Sequence, residues 1–269
     1  MLSSLTSTEE IGAAMKLAGL FEKKRKRTRK AVAPSAQEAV LLEQYRRGLA
    51  ADVYVDWLVR MIGGWLEPGH GNLVSFLYAA QHLPATGAAI EVGSFLGAST
   101  NILAYLLHRH AGRRPLFNCD PWCFEGTEEP IGGVFDAARP EWRAYARDSF
   151  LRNTRLFSAP HLPHSFELGS DEFFALWRRG AETEDLFGRR VALGGPIAFA
   201  YVDGNHTYEQ ARKDVDNVRA DLVPGGLLLL DDSADNSPFE CRHVVGELLA
   251  QGFTAVWKNP NYLLRAAGA

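Results

Sequence analysis

Three aspartates and a histidine in the second half of the chain are of the types that bind a hard metal ion or move a proton. Asp203 and His206 stand in the run Asp-Gly-Asn-His-Thr-Tyr, and Asp231 and Asp232 form an adjacent pair farther on. Carboxylate oxygens are ligands that Mg²⁺ takes in proteins, and an imidazole can accept a proton near neutral pH. The set indicates a divalent metal site with Asp203 and His206 at the reacting centre. Alternatively, one aspartate of the pair caps a loop, and His206 only begins a helix beside a carboxylate.

A glycine-bearing turn earlier in the chain is of the kind that holds nucleotide-like ligands. Residues 91–97 read Glu-Val-Gly-Ser-Phe-Leu-Gly, between a short apolar run and a helical pattern. Glycine lets the backbone turn sharply and approach a ligand closely, and the free N–H groups of a helix start favour negative charge. Many such turns carry two glycines for packing alone, so the neighbouring elements must decide. The predicted cofactor contacts here are Glu91, Gly93, Ser94, Gly97 and Ser99.

Two further turns carry polar residues where such a cofactor would lie. Asp120 follows the predicted strand 116–119, which is the position of the ribose-binding acid in a doubly wound fold. An aspartate before Pro121 is also an ordinary turn former. Ser170 and Asp171 follow a predicted third strand, and in this arrangement their turn faces the adenine. The same residue types also cap helix N-termini without any ligand.

The elements around these residues predict a doubly wound, Rossmann-like α/β fold. A helix beginning at Tyr208 is expected to run to Leu222 and to end at the Pro-Gly-Gly of 224–226. In a parallel sheet all carboxyl ends meet at one edge, where ligands bind, so the acids and the glycine turn are expected on one rim. The predicted strands are 88–92, 116–119, 197–202 and 227–230, with a closing hairpin from 253–257 and 262–265.

The N-terminal part predicts a basic flexible extension at 1–36 and a helical cap at 37–85, before the catalytic domain at 86–269. The run at 23–30 holds seven Lys or Arg in eight positions. Such blocks are typical of solvated tails, and they also suit contacts with RNA, an anionic surface or a nuclear import receptor. In the cap, helical spacing predicts one apolar face, formed by Tyr54, Leu58, Met61, Ile62 and Trp65.

Composition argues against several classes of partner. The 269 residues are 46% hydrophobic and 23% charged, with a formal net charge of −3. This charge leaves no global basic field for nucleic acid, and no apolar run approaches the roughly 18 residues of a membrane span. The three cysteines, Cys119, Cys123 and Cys241, argue against a disulfide framework and favour the reducing cytoplasm. Two nearby thiols without further soft ligands make a poor zinc site.

Taken together, residues 91–100, 203–208 and 224–232 resemble the class I S-adenosylmethionine-dependent methyltransferases grouped with the macrolide-sugar O-methyltransferases. The resemblance extends from Gly87 to the end of the chain. It implies a seven-stranded, mostly parallel sheet with a reversed final strand, S-adenosylmethionine as methyl donor, and Mg²⁺ or another divalent cation at the three aspartates. It also implies that His206 is the general base and that the acceptor is a hydroxyl of a small molecule, such as a sugar or natural-product intermediate.

Two other functional classes stay open on the sequence. A nicotinamide-dependent oxidoreductase would share the fold, but the chain lacks a full G-x-G-x-x-G and a Tyr-x-x-x-Lys pair. A non-catalytic or auxiliary binding protein would keep the cofactor site without turnover, and the intact Glu91, Asp120 and His206 argue against such decay. The long segments 121–163 and 178–196 are typical of lids or subunit contacts. We therefore expect part of the acceptor site, or a contact in a homo-oligomer, within them.

Overall fold

The computed structural model describes residues 36–66, 69–123 and 139–268. The basic run at 23–30, and with it residues 1–35 of the predicted N-terminal extension, lies outside the described residues. Within the described ranges, no helix is both long enough and apolar enough to cross a membrane.

Eight α-helices form in the described parts of the chain. The three N-terminal ones precede the first strand, and the other five alternate with strands. They are α1 (Ala36–Ala50), α2 (Val53–Met61), α3 (Gly71–His82), α4 (Ala98–His110), α5 (Pro140–Phe157), α6 (Ser170–Arg178), α7 (Tyr208–Arg219) and α8 (Arg242–Ala250).

Among the described residues, seven strands build the main sheet and two more form a separate hairpin. The strands are β1 (Ala88–Val92), β2 (Leu116–Cys119), β3 (His164–Phe166), β4 (Glu182–Glu184), β5 (Arg190–Ala192), β6 (Ile197–Val202), β7 (Leu222–Leu230), β8 (Thr254–Lys258) and β9 (Tyr262–Arg265). The main sheet has the order β3-β2-β1-β6-β7-β9-β8. Its first five strands are parallel, and β9 runs antiparallel to both β7 and β8.

The sheet is buried on both faces because its side chains alternate between two apolar cores. Ala89 points into a core shared with helices α1 to α5, whereas Ile90 and Val92 point into a core shared with α6, α7 and α8. Strands that are covered on both sides need continuous apolar runs. This need explains why 88–92 and 197–202 could be recognised as strands from sequence.

The predicted fold class is confirmed. Strands β1, β2 and β6 have the predicted bounds, the final strand β9 is the reversed one, and β8 and β9 form the predicted closing hairpin. In the segment 178–196, strands β4 and β5 form an antiparallel hairpin.

The predicted end of the helix at Tyr208 is wrong. Helix α7 ends at Arg219, and Leu222 already lies in β7, opposite Ile197 of β6. The next paired position, Phe199, lies opposite Leu227, so two residues of β6 span five of β7. The Pro-Gly-Gly between them therefore forms an irregularity inside the strand, where proline's missing N–H removes no regular ladder bond.

The predicted apolar face of the cap is only partly correct. Leu58 and Ile62 are buried, but Met61 is 55% exposed and Trp65 is 71% exposed. The reason is that α2 ends at Met61 and Ile62 adopts an extended backbone. Trp65 therefore does not continue the helical spacing that grouped it with Leu58.

Asp52 joins the start of α2 to α4. Its carboxylate accepts hydrogen bonds from the backbone N–H groups of Tyr54 and Val55 at 3.1 and 3.3 Å. The same carboxylate accepts a hydrogen bond from the Tyr105 hydroxyl at 3.1 Å and pairs with Arg109 at 2.9 Å. One side chain thus caps one helix and binds two residues of another.

We predict that Asp52→Ala lowers the free energy of unfolding by about 1–2 kcal/mol, because the variant loses the cap of α2. Urea denaturation measures the loss. Asp56→Ala is the matched control, since Asp56 lies on the same helix and forms only an exposed pair with Arg60. The control should lose less than about 0.5 kcal/mol, and equal losses in the two variants would contradict the role given to Asp52.

Candidate functional site

Backbone hydrogen bonds hold the carboxyl ends of the parallel strands together at one rim. The N–H of Gly93 donates to Cys119 at 3.0 Å, that of Asp203 donates to Val92 at 2.8 Å, and that of Asp231 donates to Val202 at 2.9 Å. Each bond ties the first residue after one strand to the last residue of its neighbour. The rim therefore brings together the glycine turn and the acids that follow β6 and β7.

Glycine is required at the closest approach within this rim. Gly93 has φ of +86°, and a Cβ built there would lie 2.0 Å from the backbone oxygen of Asp203. Gly97 also has positive φ, at +90°, and forms the N-cap of α4. Any side chain at 93 would push the turn away from Asp203, so the glycine sets the spacing between the turn and the acidic residues.

Glu91 is fully buried beneath the glycine turn. Its Oε2 accepts hydrogen bonds from the Thr100 hydroxyl at 2.5 Å and from the Ser94 hydroxyl at 3.5 Å. Its Oε1 is buried and has no hydrogen-bond partner within the described part of the chain. Burial raises the pKa of Glu91 to about 7, against the opposing effect of the nearby hydroxyls of Ser99, Thr100 and Ser94. An unpartnered carboxylate oxygen at this position fits an amine donor from a ligand.

Asp120 closes the turn from the neighbouring strand. Its Oδ2 accepts hydrogen bonds from the N–H groups of Ser94 and Phe95 at 2.8 and 2.9 Å, and its Oδ1 accepts one from Trp122 at 2.6 Å. Burial raises the pKa of the Asp120 carboxyl. The side chain thus holds the glycine turn in place, and it lies beside the turn where a ribose acid was predicted.

Asp203 lies among the other acids of the rim. Its Oδ2 accepts a hydrogen bond of 2.8 Å from the hydroxyl of Tyr201, which is buried in the sheet. Burial and the nearby carboxylate of Asp231 raise the pKa of Asp203 well above its ordinary value. The structure therefore places two acids from neighbouring strands in direct electrostatic contact.

Two asparagines far apart in sequence hold Asp231. The amides of Asn72 and Asn261 each donate to its Oδ1 at 2.5 Å, and Asn261 also donates to Asn72 at 3.1 Å. Asp232 follows with φ of +49°. Because β7 ends at Leu230, the alternation of the strand no longer forces Asp231 and Asp232 to opposite faces.

His206 bridges the two acids that Asn72 does not hold. Its Nδ1 lies 3.1 Å from an oxygen of Asp232, and its Nε2 lies 3.5 Å from an oxygen of Asp203. The ring of Phe239 packs edge-on against the imidazole, with centroids 4.7 Å apart. About a third of the His206 side chain is exposed. The imidazole is thus oriented by two carboxylates and still reaches the cleft.

The acidic cluster, formed by Asp203, Asp231 and Asp232, has surplus negative charge. No lysine or arginine of the described segments pairs with its carboxylates, and the imidazole of His206 contacts those of Asp203 and Asp232. Burial and the neighbouring Asp231 also raise the pKa of Asp232. All three donors are hard oxygens, and this chemistry fits Mg²⁺. Within those same segments, however, no three His, Cys, Asp or Glu side chains are arranged to hold a metal ion.

Ser170 and Asp171 do not join the acidic cluster. The hydroxyl of Ser170 donates to Asp214 of α7, and Asp171 accepts a hydrogen bond of 2.8 Å from Asn217 of the same helix. Neither side chain caps α6, whose N-cap is Gly169. Both predicted adenine contacts are therefore engaged with α7 in this structure, and their role toward a cofactor stays a prediction.

Sequence reasoning missed the polar residues that position the cluster. Asn72 and Asn261 precede or begin elements that read as structural, and Tyr201 belongs to an apolar strand. His70 adds a second imidazole near Asp232, where it lowers the pKa of that carboxyl. The sequence offered one hint of Asn72. The segment that forms α3 is mostly apolar, and this asparagine stands second in it.

Comparison with known proteins places the chain among related folds. A family model with the description methyltransferase domain matches residues 90–233. No curated protein sequence matches the chain. The solved O-methyltransferase NovP is similar with 17% identity and a TM-score of 0.53, over 86% of this chain and 100% of that one. The calicheamicin methyltransferase CalS11 is similar with 17% identity and a TM-score of 0.51, over 87% of this chain and 95% of that one. Both likenesses show the fold.

We predict that Glu91 makes the stability of the ligand-free protein fall between pH 5 and pH 8. Its pKa is raised from 4.5 to about 7, so the folded state keeps a proton that the unfolded state releases in this range. The stabilisation is complete below pH 4.5 and is lost as the pH rises through about 7. Relative to Glu91→Gln, the wild type should lose about 2–3 kcal/mol of unfolding free energy between pH 5 and pH 8. Parallel curves for the two proteins in urea denaturation would contradict this.

Proposed function

This chain belongs to the methyltransferase domain family and is an S-adenosylmethionine-dependent methyltransferase, and from that premise we propose that it methylates a hydroxyl of a small molecule. The observation that carries the proposal is His206, held between Asp203 and Asp232 at the rim of the sheet. A neutral alcohol is a weak nucleophile, so its methylation needs a group that takes the proton. An imidazole between two carboxylates is well placed to hold that proton.

The glycine turn is the proposed site of the methyl donor. Glu91 and Gly93 are in the part of the turn that approaches Asp203, and the buried Oε1 of Glu91 suits the donor's amino group. Gly97 and Ser99 lie at the start of α4, whose N-terminal N–H groups favour the negative charge of the methyl donor's own carboxylate. Asp120 is proposed to accept hydrogen bonds from the ribose, after a change of partners at the turn. Ser170 and Asp171 remain the proposed adenine contacts.

The acidic cluster is the proposed site of Mg²⁺ or another divalent cation. Asp203, Asp231 and Asp232 would hold the ion, because no lysine or arginine among the described residues pairs with their carboxylates and the contacts they have are with the imidazole of His206. A divalent ion at this position would lower the pKa of a hydroxyl bound to it. Asn72 and Asn261 fix the orientation of Asp231, as supporting hydrogen bonds do for metal ligands in general.

We further propose that the acceptor is a sugar or a natural-product intermediate, as the sequence resemblance implies. The comparison structures CalS11 and NovP are described as a calicheamicin methyltransferase and an O-methyltransferase. The cytoplasm is the proposed location, and the three cysteines, all free thiols, support it. The helices before Gly87 are proposed as a cap on the catalytic domain, since α3 supplies Asn72 to the acidic cluster.

The first experiment is calorimetric titration with S-adenosylhomocysteine, before and after chelator treatment, with NADH as the control ligand. The proposal expects saturable binding of S-adenosylhomocysteine and none of NADH. A protein that binds NADH instead would be an oxidoreductase candidate. Absence of S-adenosylhomocysteine binding under both conditions would overturn the proposal.

We predict that Asp203→Asn and Asp232→Asn weaken the binding of Mn²⁺, used as a probe of the divalent site, by tenfold or more. Electron paramagnetic resonance of free Mn²⁺ measures the affinity. Asp235→Asn is the matched control, because Asp235 lies in the same loop and pairs with Lys258 outside the cluster. If the control loses as much affinity as the other two variants, the cluster is not the divalent site.

We predict that His206→Gln lowers kcat by about 10²–10⁴-fold, the usual contribution of a general base. Production of S-adenosylhomocysteine over a panel of glycosides and phenols measures turnover. The affinity for S-adenosylhomocysteine should stay within about twofold, since His206 is not part of the glycine turn. His243→Gln, an exposed histidine of α8, is the control and should behave as wild type. Full activity of the His206 variant would remove this residue from proton transfer.

A further inference from the structure

Four aromatic rings form a row across the mouth of the glycine turn. Tyr145 stacks on Trp142 at 5.3 Å and 22°, Trp142 lies 5.7 Å from Phe95, and Phe95 stacks on Trp65 at 5.1 Å and 14°. The distances are between ring centroids. They lie in the range where aromatic pairs attract each other. The aromatic row thus joins α5, the glycine turn and the segment after α2.

The two ends of the aromatic row are open to solvent. Trp65 is 71% exposed and Tyr145 is 54% exposed, although both rings are large and apolar. Contiguous exposed apolar surface is unusual on a protein unless it serves for binding. The row therefore offers two ring faces to a ligand.

The turn itself holds the centre of the row in position. Phe95 has φ of +45°, and its N–H donates to Asp120 at 2.9 Å. Its carbonyl accepts a hydrogen bond of 2.8 Å from the indole of Trp122, which is fully buried. The backbone of Phe95 is therefore fixed on both sides, and its ring is a rigid part of the row.

Trp65, at one end of the row, shortly precedes two residues of the chain that lie near the acidic cluster. His70 caps α3, and Asn72 binds Asp231. Trp65 and His70 are five positions apart in the chain, so their Cα atoms are at most about 18 Å apart. The row also adjoins the cluster through the glycine turn, because Phe95 lies two residues after Gly93, where the backbone approaches Asp203.

The charges beside the row favour a neutral ligand. Arg143 and Arg147 both bind Glu167, at 2.8 and 2.7 Å. A depression of about 440 Å³ next to Trp142 and Tyr145 is lined by Arg139 and Glu141, which have opposite charges. No single sign of charge dominates there, so the π faces are the main feature that a ligand meets.

We propose that the aromatic row binds a neutral, planar aromatic ring of the acceptor molecule, remote from the hydroxyl that is methylated. The inference rests on the proposed function, because it assigns the acceptor's ring to a surface that adjoins the proposed donor site. It makes the preferred acceptor an aryl-bearing compound, such as an aryl glycoside or a fused polycyclic phenol. A free sugar lacks the ring that the row accommodates.

The test is ¹⁹F NMR of protein labelled with 5-fluorotryptophan, with S-adenosylhomocysteine bound. The probe is 2-naphthyl β-D-glucoside, and cyclohexyl β-D-glucoside is the non-aromatic control. We expect the naphthyl probe to shift the signals of Trp65 and Trp142 saturably and to leave Trp257, which is buried elsewhere, unchanged. The cyclohexyl compound should bind several-fold more weakly.

Variants locate the binding site. Trp65→Ala and Tyr145→Ala should each weaken the naphthyl probe by about threefold to tenfold, the range of one aromatic contact. Trp57→Ala is the matched control, because Trp57 is also partly exposed but packs against Tyr54 and Phe157 instead. All variants should keep the affinity for S-adenosylhomocysteine within about twofold.

The outcomes separate this inference from the proposed function. If S-adenosylhomocysteine binds but the naphthyl probe shifts neither Trp65 nor Trp142, the inference is overturned and the proposed function stands. Equal binding of the cyclohexyl and naphthyl compounds also overturns it. If S-adenosylhomocysteine does not bind to the wild type, the proposed function itself fails.

Discussion

The site depends on the crowding of three carboxylates at the end of two neighbouring strands. Asp203, Asp231 and Asp232 repel one another, yet among the described residues no lysine or arginine pairs with them. Neutral donors and the imidazole of His206 hold them, and the imidazole of His70 lies near Asp232. Removing such repulsion requires a proton or a cation. The buried hydroxyl of Tyr201 and the amide of Asn72 stabilise the arrangement without neutralising it. The need for a proton or a cation is thereby built into the rim, and this is the strongest physical reason to propose it as the reaction centre.

Much of the fold could be predicted because its signals are local. The strands at 88–92 and 197–202 are apolar runs of strand length, and the glycine turn follows the first of them directly. The family and the reversed final strand, expected from the resemblance, are confirmed. The shared rim followed from topology alone, since parallel strands deliver their carboxyl ends to one edge. The backbone bonds from Asp203 and Asp231 to the neighbouring strands bear out that step.

What could not be predicted depends on contacts between distant residues. Asn72 and Asn261 meet at Asp231 only after the helix and the hairpin have packed, and neither lies near it in sequence. The early start of β7 was hidden because Pro-Gly-Gly ordinarily ends an element, and here the pairing of Leu222 with Ile197 outweighs that tendency. The roles of Ser170 and Asp171 could not be decided either, because helix capping and ligand binding use the same residue types.

The antiparallel direction of β9 has a consequence for how this fold can vary. Tyr262 pairs with Leu230, so the residue just before β9 arrives at the same rim as the residues just after β7. A parallel strand at that position would bring its C-terminal end, not its N-terminal end, to this rim. The tip of the closing hairpin, through Asn261, is thereby part of the site's architecture. Adding or removing one residue in that hairpin would shift the amide of Asn261 away from Asp231. Surface loops usually tolerate changes of length, but the length of this loop is constrained by a contact with a residue 30 positions earlier in the chain.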